Sequence, residues 1–198
     1  MKSFCFIVFL SLSLVWKPVV TVDDGGESLI GTKPPELEEI SWLSETPIHL
    51  SDLHGKVVLI RWWTAPECPY CAATGSALNG FVKEFGDKGL VVIGLYHHKS
   101  DKPLTAKFVQ EQYERLGFQF PTGIDWGWRN LKIWWLNSGE RDWTSVSFLL
   151  DHEGIVRYIH PGGSYSAEAV EVFPKAQEDY NTLRFHIIRL LEKIPSKQ

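Results

Sequence analysis

Cys68 and Cys71, with Pro69 and Tyr70 between them, are the residues of this chain whose spacing speaks most plainly of chemistry. They stand where an apolar run, residues 57–63, gives way to a helical pattern. A disulfide across two intervening residues closes so small a loop that chain entropy contributes only about 2 kcal/mol, which makes bracing the fold a weak reason for the pair. Thiol chemistry is the stronger reason. At a helix's first turn, unpaired backbone N–H groups and the positive end of the dipole favour a thiolate over a thiol. Cys68 is therefore the expected nucleophile. Cys71, one turn further in and more shielded, is the expected resolving thiol, which displaces whatever Cys68 has captured.

Half of a zinc site is the main rival reading, and it requires two more Cys or His ligands at matching spacing. No second pair exists. The chain has 3 cysteines, and the third, Cys5, sits in an N-terminal apolar run, while His97, His98, His152 and His160 are scattered. No metal is expected. A copper(I) module using Cys68, Cys71 and His160 is the remaining metal alternative.

The elements that must position the pair follow from pattern. With 198 residues, 44% hydrophobic and 13% aromatic, the chain has the size and core of one compact domain. A net charge of −4 and a pI near 6.0 supply no basic field, so nucleic acid is not an expected partner. Residues 56–63 are almost continuously apolar, as in a central strand covered on both faces. The helix after Pro69 carries Ala73, Ala77, Phe81 and Phe85 at four-residue steps. Residues 90–96 read as a second buried strand, 104–116 as an amphipathic helix, 118–124 as a short strand, and 145–151 with 155–159 as a hairpin. A closing helix follows Pro174, with Tyr180, Leu183, Ile187 and Leu190 on one side. Upstream, the apolar pieces at 40–43 and 48–50 suggest an N-terminal hairpin leading into the sheet. The sum is an α/β layout with a central mixed sheet flanked by helices.

Residues 1–16 carry one early positive charge and then an uncharged apolar stretch, the pattern of a secretory signal or an uncleaved membrane anchor. The chain is accordingly divided into a signal or anchor at 1–22, a linker at 23–35 rich in Asp and Gly, and a domain at 36–195. An exported, periplasmic or otherwise extracytoplasmic location, free or membrane-anchored, is expected. Such a chain without its leader retains only the Cys68/Cys71 pair, an inventory suited to thiol exchange in an oxidising compartment.

The run Gly55 to Cys71, followed downstream by Phe148-Leu149-Leu150-Asp151-His152-Glu153-Gly154, resembles the thioredoxin-like superfamily, in particular the exported redoxins similar to TlpA and ResA, over residues 33–193. The resemblance implies a thioredoxin-like fold with a βα insertion and a thiol-disulfide oxidoreductase with Cys68 attacking and Cys71 resolving. Its only redox group is the Cys68–Cys71 disulfide, with no further cofactor. Its partners are protein thiols or disulfides and a redox partner that the sequence does not identify, and its substrate site comprises Pro69, Tyr70, Ser145 and Val146. A thiol peroxidase is the alternative within the same superfamily. Against it, the threonine or serine that peroxiredoxins place three residues before the reactive cysteine is here Ala65, with Thr64 one step earlier.

Three departures from the family pattern stand out. The cis-proline that normally precedes the penultimate strand is absent, and Ser145 falls there, so a trans Thr144–Ser145 bond is expected. Glu67 replaces an aromatic, and a carboxylate there opposes the dipole and favours a higher thiol pKa. Trp62 falls, by counting from Cys68, where cytoplasmic thioredoxins bury an acid. Finally, Trp126, Trp128, Trp134, Trp135 and Trp143 crowd one stretch, as either a satellite core or a groove lining, with the core favoured. His97 and His160 end strands, where capping or surface roles are favoured over a place in the site.

Overall fold

The computed structural model describes residues 25–137, 139–169 and 171–195. The expected signal or anchor at 1–22 lies outside them, as does Cys5. Among the described residues no helix is long and apolar enough to cross a membrane.

The centre of the molecule is β2 (Val57–Trp63), in which all seven side chains are buried. It pairs in parallel with β3 (Leu90–Tyr96) along its whole length, from Val57 opposite Leu90 to Trp63 opposite Tyr96. β4 (Thr122–Asp125) continues the parallel set beyond β3, and β1 (Ile40–Trp42) closes that edge antiparallel to β4. On the other side β5 (Ser147–Leu150) runs antiparallel to β2, and β6 (Val156–His160) antiparallel to β5. The six-stranded order is β1-β4-β3-β2-β5-β6.

Alternation along β2 sends its residues to two different cores. Val57, Leu59 and Trp63 join one cluster with Phe81 and Phe85 of α1 (Pro69–Phe85), Val109 of α2 (Ala106–Arg115), and Leu183 and Ile187 of α4 (Ala176–Leu191). Val58, Ile60 and Trp62 face a second cluster with Trp134, Trp135, Val146 and Phe148. The latter tryptophans sit on a π-helical turn (Lys132–Leu136) that continues the short α3 (Arg129–Leu131). One face is therefore covered by regular amphipathic helices. The other is covered largely by rings: Trp62 meets Trp134 and Phe148 edge-on at 5.5 and 5.8 Å.

The expected N-terminal hairpin does not form. Ile40–Trp42 pairs with β4 instead, and the second apolar piece becomes a 3-10 turn, Leu50–Leu53. The Glu36 carboxylate accepts hydrogen bonds from the backbone N–H groups of Leu50 and Ser51, at 2.7 and 3.0 Å, and turns the chain there. The expected strand at 118–124 starts only at Thr122, because Phe118 and Phe120 stack on each other at 4.8 Å and fill the first core. Within the stretch read as a linker, Gly31 donates to the Val156 carbonyl and Thr32 accepts from the Val156 N–H, so residues 31 and 32 run along β6.

Candidate active site

β2 delivers the chain to the top of the sheet, and residues 64–67 carry it over into α1. Cys68 is the N-cap of that helix, with extended backbone angles, and Pro69 occupies its first turn, where a missing N–H costs nothing. The Cys68 sulfur accepts a hydrogen bond from the Cys71 N–H at 3.1 Å. In most helices an oxygen takes this capping role; here a sulfur does, and once the pair is reduced the same donor favours negative charge on it. The Thr64 N–H lies 3.5 Å from the Cys71 sulfur and donates to it. The two cysteines are joined as a disulfide. Their exposure differs: Cys68 is half-buried, whereas Cys71 is 2% exposed. An incoming sulfur can reach the first and not the second.

The pair opens on a cleft of about 540 Å³. Glu67 to Tyr70 form one wall, residues 99–101 after β3 another, and residues 142–145 before β5 the third. Pro69 and Tyr70 thus stand on the cleft, and Ser145 faces them across it. The Val146 side chain is elsewhere, fully buried in the second core, and its carbonyl accepts from the Trp62 N–H at 3.0 Å. Among the described residues only Ala65–Pro66 is cis, so Thr144–Ser145 is trans, as the missing proline leads one to expect. Trp143 is 51% exposed at the rim. Its ring meets Tyr70 edge-on at 5.7 Å, and Tyr70 in turn contacts Phe173 at 5.1 Å. Gly162 permits this placement, since a Cβ there would come within 2.7 Å of Trp143. The Trp143 carbonyl accepts from the Trp135 indole at 2.8 Å, which ties the rim to the second core. The tryptophan-rich stretch is therefore both things: Trp134 and Trp135 are core, and Trp143 lines the cleft.

Beneath the pair the structure departs from expectation. Counting from Cys68 placed Trp62 at the buried ionisable position, yet Trp62 points to the second core, where its indole donates to Asp125 at 2.9 Å. Alternation along β2 turns Trp62 away from the helices, and the ionisable side chain on the side of Leu59 and Trp63 is Arg61, 1% exposed. Its guanidinium donates to the Gly163 carbonyl at 2.6 Å, to the Ser147 hydroxyl at 3.2 Å, and to the Thr74 hydroxyl on α1 at 3.5 Å. It also lies over the Tyr165 ring, 5.3 Å from the centroid. Burial lowers its pKa, with Tyr165 opposing, but an arginine starts so high that it stays charged.

His97 and His160 are not surface caps. His97 is fully buried, neither ring nitrogen has a hydrogen bond of ordinary geometry, and its ring contacts Trp128. Burial holds its pKa down at about 3, with positive Lys99 and Arg61 acting in the same direction and the Thr144 backbone opposing. His160 is 3% exposed, and its Nε2 lies 3.4 Å from the Asp179 carboxylate. Burial again lowers its pKa, helped by Arg61 and opposed by Asp179. Strand termini are normally exposed; here aromatic rings cover them, Trp128 at 5.2 Å from the His97 ring and Tyr165 at 5.1 Å from that of His160. Among the described residues no three His, Cys, Asp or Glu side chains converge on one point.

Against known proteins, residues 30–159 match the AhpC/TSA family. The proteins named DipZ from Mycobacterium bovis and Mycobacterium tuberculosis are each 32% identical over 149 residues, or 72% of this chain. That match covers 21% of their length, so the chain spans about a fifth of these curated relatives. Among solved structures, a candidate protein disulfide isomerase from Bacteroides thetaiotaomicron superposes with a TM-score of 0.62 at 21% identity, over 83% of this chain and 91% of the other. The thioredoxin domain of a thiol-disulfide oxidoreductase from Bacteroides vulgatus gives 0.55 at 18% identity, over 80% and 97%. At these identities the structural likeness establishes the fold, which is thioredoxin-like.

Proposed function

The chain belongs to the AhpC/TSA family, and from that premise we propose that it is a thiol-disulfide oxidoreductase acting on cysteines of other proteins. The observation that carries this reading is the asymmetry of the pair. Cys68 caps a helix at the floor of an open cleft, while Cys71, joined to it, is buried and receives the Thr64 N–H. The Cys68 thiolate attacks a sulfur of a substrate disulfide and expels the other substrate sulfur as a thiolate, which takes up a proton. Cys71 loses its proton and attacks Cys68, releasing the second substrate thiol and leaving the Cys68–Cys71 bond. The reverse sequence donates a disulfide. The substrate backbone lies against Ser145 and beside Pro69 and Tyr70, with the Tyr70–Trp143 wall taking an apolar side chain next to the reacting cysteine. An exported setting, with the segment at 1–22 as signal or anchor, completes the proposal and agrees with a stable disulfide.

Insulin reduction driven by dithiothreitol tests the reading. Wild type is expected to accelerate it, and Cys68→Ser to fall to the uncatalysed rate; equal rates would rule the assignment out. Consumption of hydrogen peroxide by the reduced protein, faster than by free cysteine, would favour the peroxidase alternative instead.

A further inference from the structure

Arg61 is a cation buried against α1, at the turn of the helix that follows the dithiol, with no anion to balance it. Among the described residues no carboxylate pairs with it, and its Nε has no hydrogen-bond partner at all. Its acceptors are a carbonyl and two hydroxyls, which are neutral. Burying an unpaired charge is costly, and a hydrophobic side chain of the same size would serve packing as well or better. The position of the charge supplies a reason for keeping it.

Arg61 stands on the side of β2 that α1 covers, and it touches that helix at Thr74. Thr74 in turn donates to the carbonyl of Tyr70, inside the Cys-Pro-Tyr-Cys turn, at 2.6 Å. At 1.5 Å per residue, Thr74 lies only about 4.5 Å along the helix axis beyond Cys71. Arg61, Thr74 and Cys71 are all buried, so salt screens the field of the cation far less than it would at the surface. A positive charge so placed acts on the two redox states unequally. The disulfide is neutral, whereas the reduced pair carries a thiolate, and only the latter gains from the cation.

We infer that Arg61 is an electrostatic positioning residue that raises the reduction potential of the Cys68–Cys71 pair, so that the protein is biased toward giving its disulfide away. The inference rests on the oxidoreductase reading above. The equilibrium concerned is balanced as follows: two glutathione thiols become one glutathione disulfide, the Cys68–Cys71 bond breaks, and the pair receives two electrons and two protons. The proton of Cys68 then leaves for solvent, because Arg61 and the helix's N–H groups hold the thiolate. Other ionisable groups face the pair as well. Glu67, Lys99, Asp101 and Asp142 line the rim of the cleft. Tyr165 and His160 with Asp179 stand on Arg61's own side of the sheet, and His97 lies across it against Trp128. Of these, the rim charges face water and are screened, which leaves Arg61 as the dominant buried charge.

The test is the equilibrium constant of the full chain with glutathione, together with the Cys68 titration followed by thiolate absorbance. Arg61→Met removes the charge and the hydrogen bonds; Arg61→Gln removes the charge and keeps hydrogen-bonding capacity. Both are expected to shift the constant toward the disulfide by at least tenfold, about 30 mV, and to raise the Cys68 pKa. Constants equal to wild type in either neutral variant would overturn the role of Arg61 alone. A wild-type pair that glutathione neither reduces nor re-forms would sink the oxidoreductase reading itself. Should neither variant fold, two measurements decide: a wild-type Cys68 pKa at or above the free-thiol value of about 8.5 overturns the inference, and Arg61→Lys, which keeps the charge, is expected to keep the wild-type constant, a tenfold shift in it overturning the inference.

Discussion

Two buried charges sit on opposite sides of the same sheet, and they are treated in opposite ways. Asp125, at the end of β4, is 1% exposed and accepts four hydrogen bonds: from the Trp62 indole, the backbone and side chain of Asn130, and the Leu131 N–H, all between 2.8 and 3.0 Å. It organises the turn into α3 and ties it to β2. Arg61, equally buried on the helical face, has neutral acceptors and one unpartnered nitrogen. A charge that is fully satisfied is part of the scaffold. One left unbalanced exerts its field on whatever lies nearby, and the nearest chemistry is the dithiol.

The comparison breaks most visibly at Asp125. Asp125→Ala leaves four donors without their acceptor, and a loss of about 3–5 kcal/mol in urea unfolding is expected, with no shift in the redox equilibrium of the folded fraction. Arg61→Met should behave in the reverse manner. It is expected to leave stability unchanged or to raise it by about 1–4 kcal/mol, while the redox equilibrium moves. Equal destabilisation by both changes would erase the distinction.

A smaller effect concerns His97, buried on the other face against Trp128. Its folded pKa, about 3, lies below its unfolded value of about 6.5, so the unfolded chain binds a proton that the native one refuses. Its contribution to stability is therefore present above pH 6.5 and drains away as pH falls through that window, by up to about 1.4 kcal/mol per pH unit. His97→Phe is expected to flatten the decline between about pH 6 and 4, as read from thermal unfolding at a series of pH values. The smallest effect belongs to the rim. Trp143→Ala should weaken substrate engagement by about 1 kcal/mol, a roughly fivefold rise in KM for a protein disulfide, with the glutathione equilibrium untouched.

Much of this was legible before any coordinates. The unbroken apolar run at 57–63, the four-residue period after Pro69 and the run at 90–96 became β2, α1 and β3 because burial on one or two faces imposes those periods. The cysteine spacing pointed to the site. What escaped the sequence depended on contacts between distant residues. Glu36 turned a would-be strand by reaching its backbone 14 residues away. The π-helical turn at Lys132–Leu136 has no repeating period to detect. His97 carries no mark of the loops that cover it. Arg61 did carry one: it is the only charge in a seven-residue apolar strand, and alternation sets it on the same face as Leu59 and Trp63. Counting back from Cys68 singles out Trp62 instead, which alternation turns to the opposite face.

Covalent trapping reaches the centre of this account most directly. Mixing reduced Cys71→Ser protein with a disulfide-bonded protein substrate removes the thiol that would release the adduct, and intact-mass measurement should show a stable mixed disulfide through Cys68. Reduced Cys68→Ser protein, treated identically, should remain free. An adduct forming equally well through Cys71, or none with either variant, would contradict the assignment of Cys68 as the attacking sulfur.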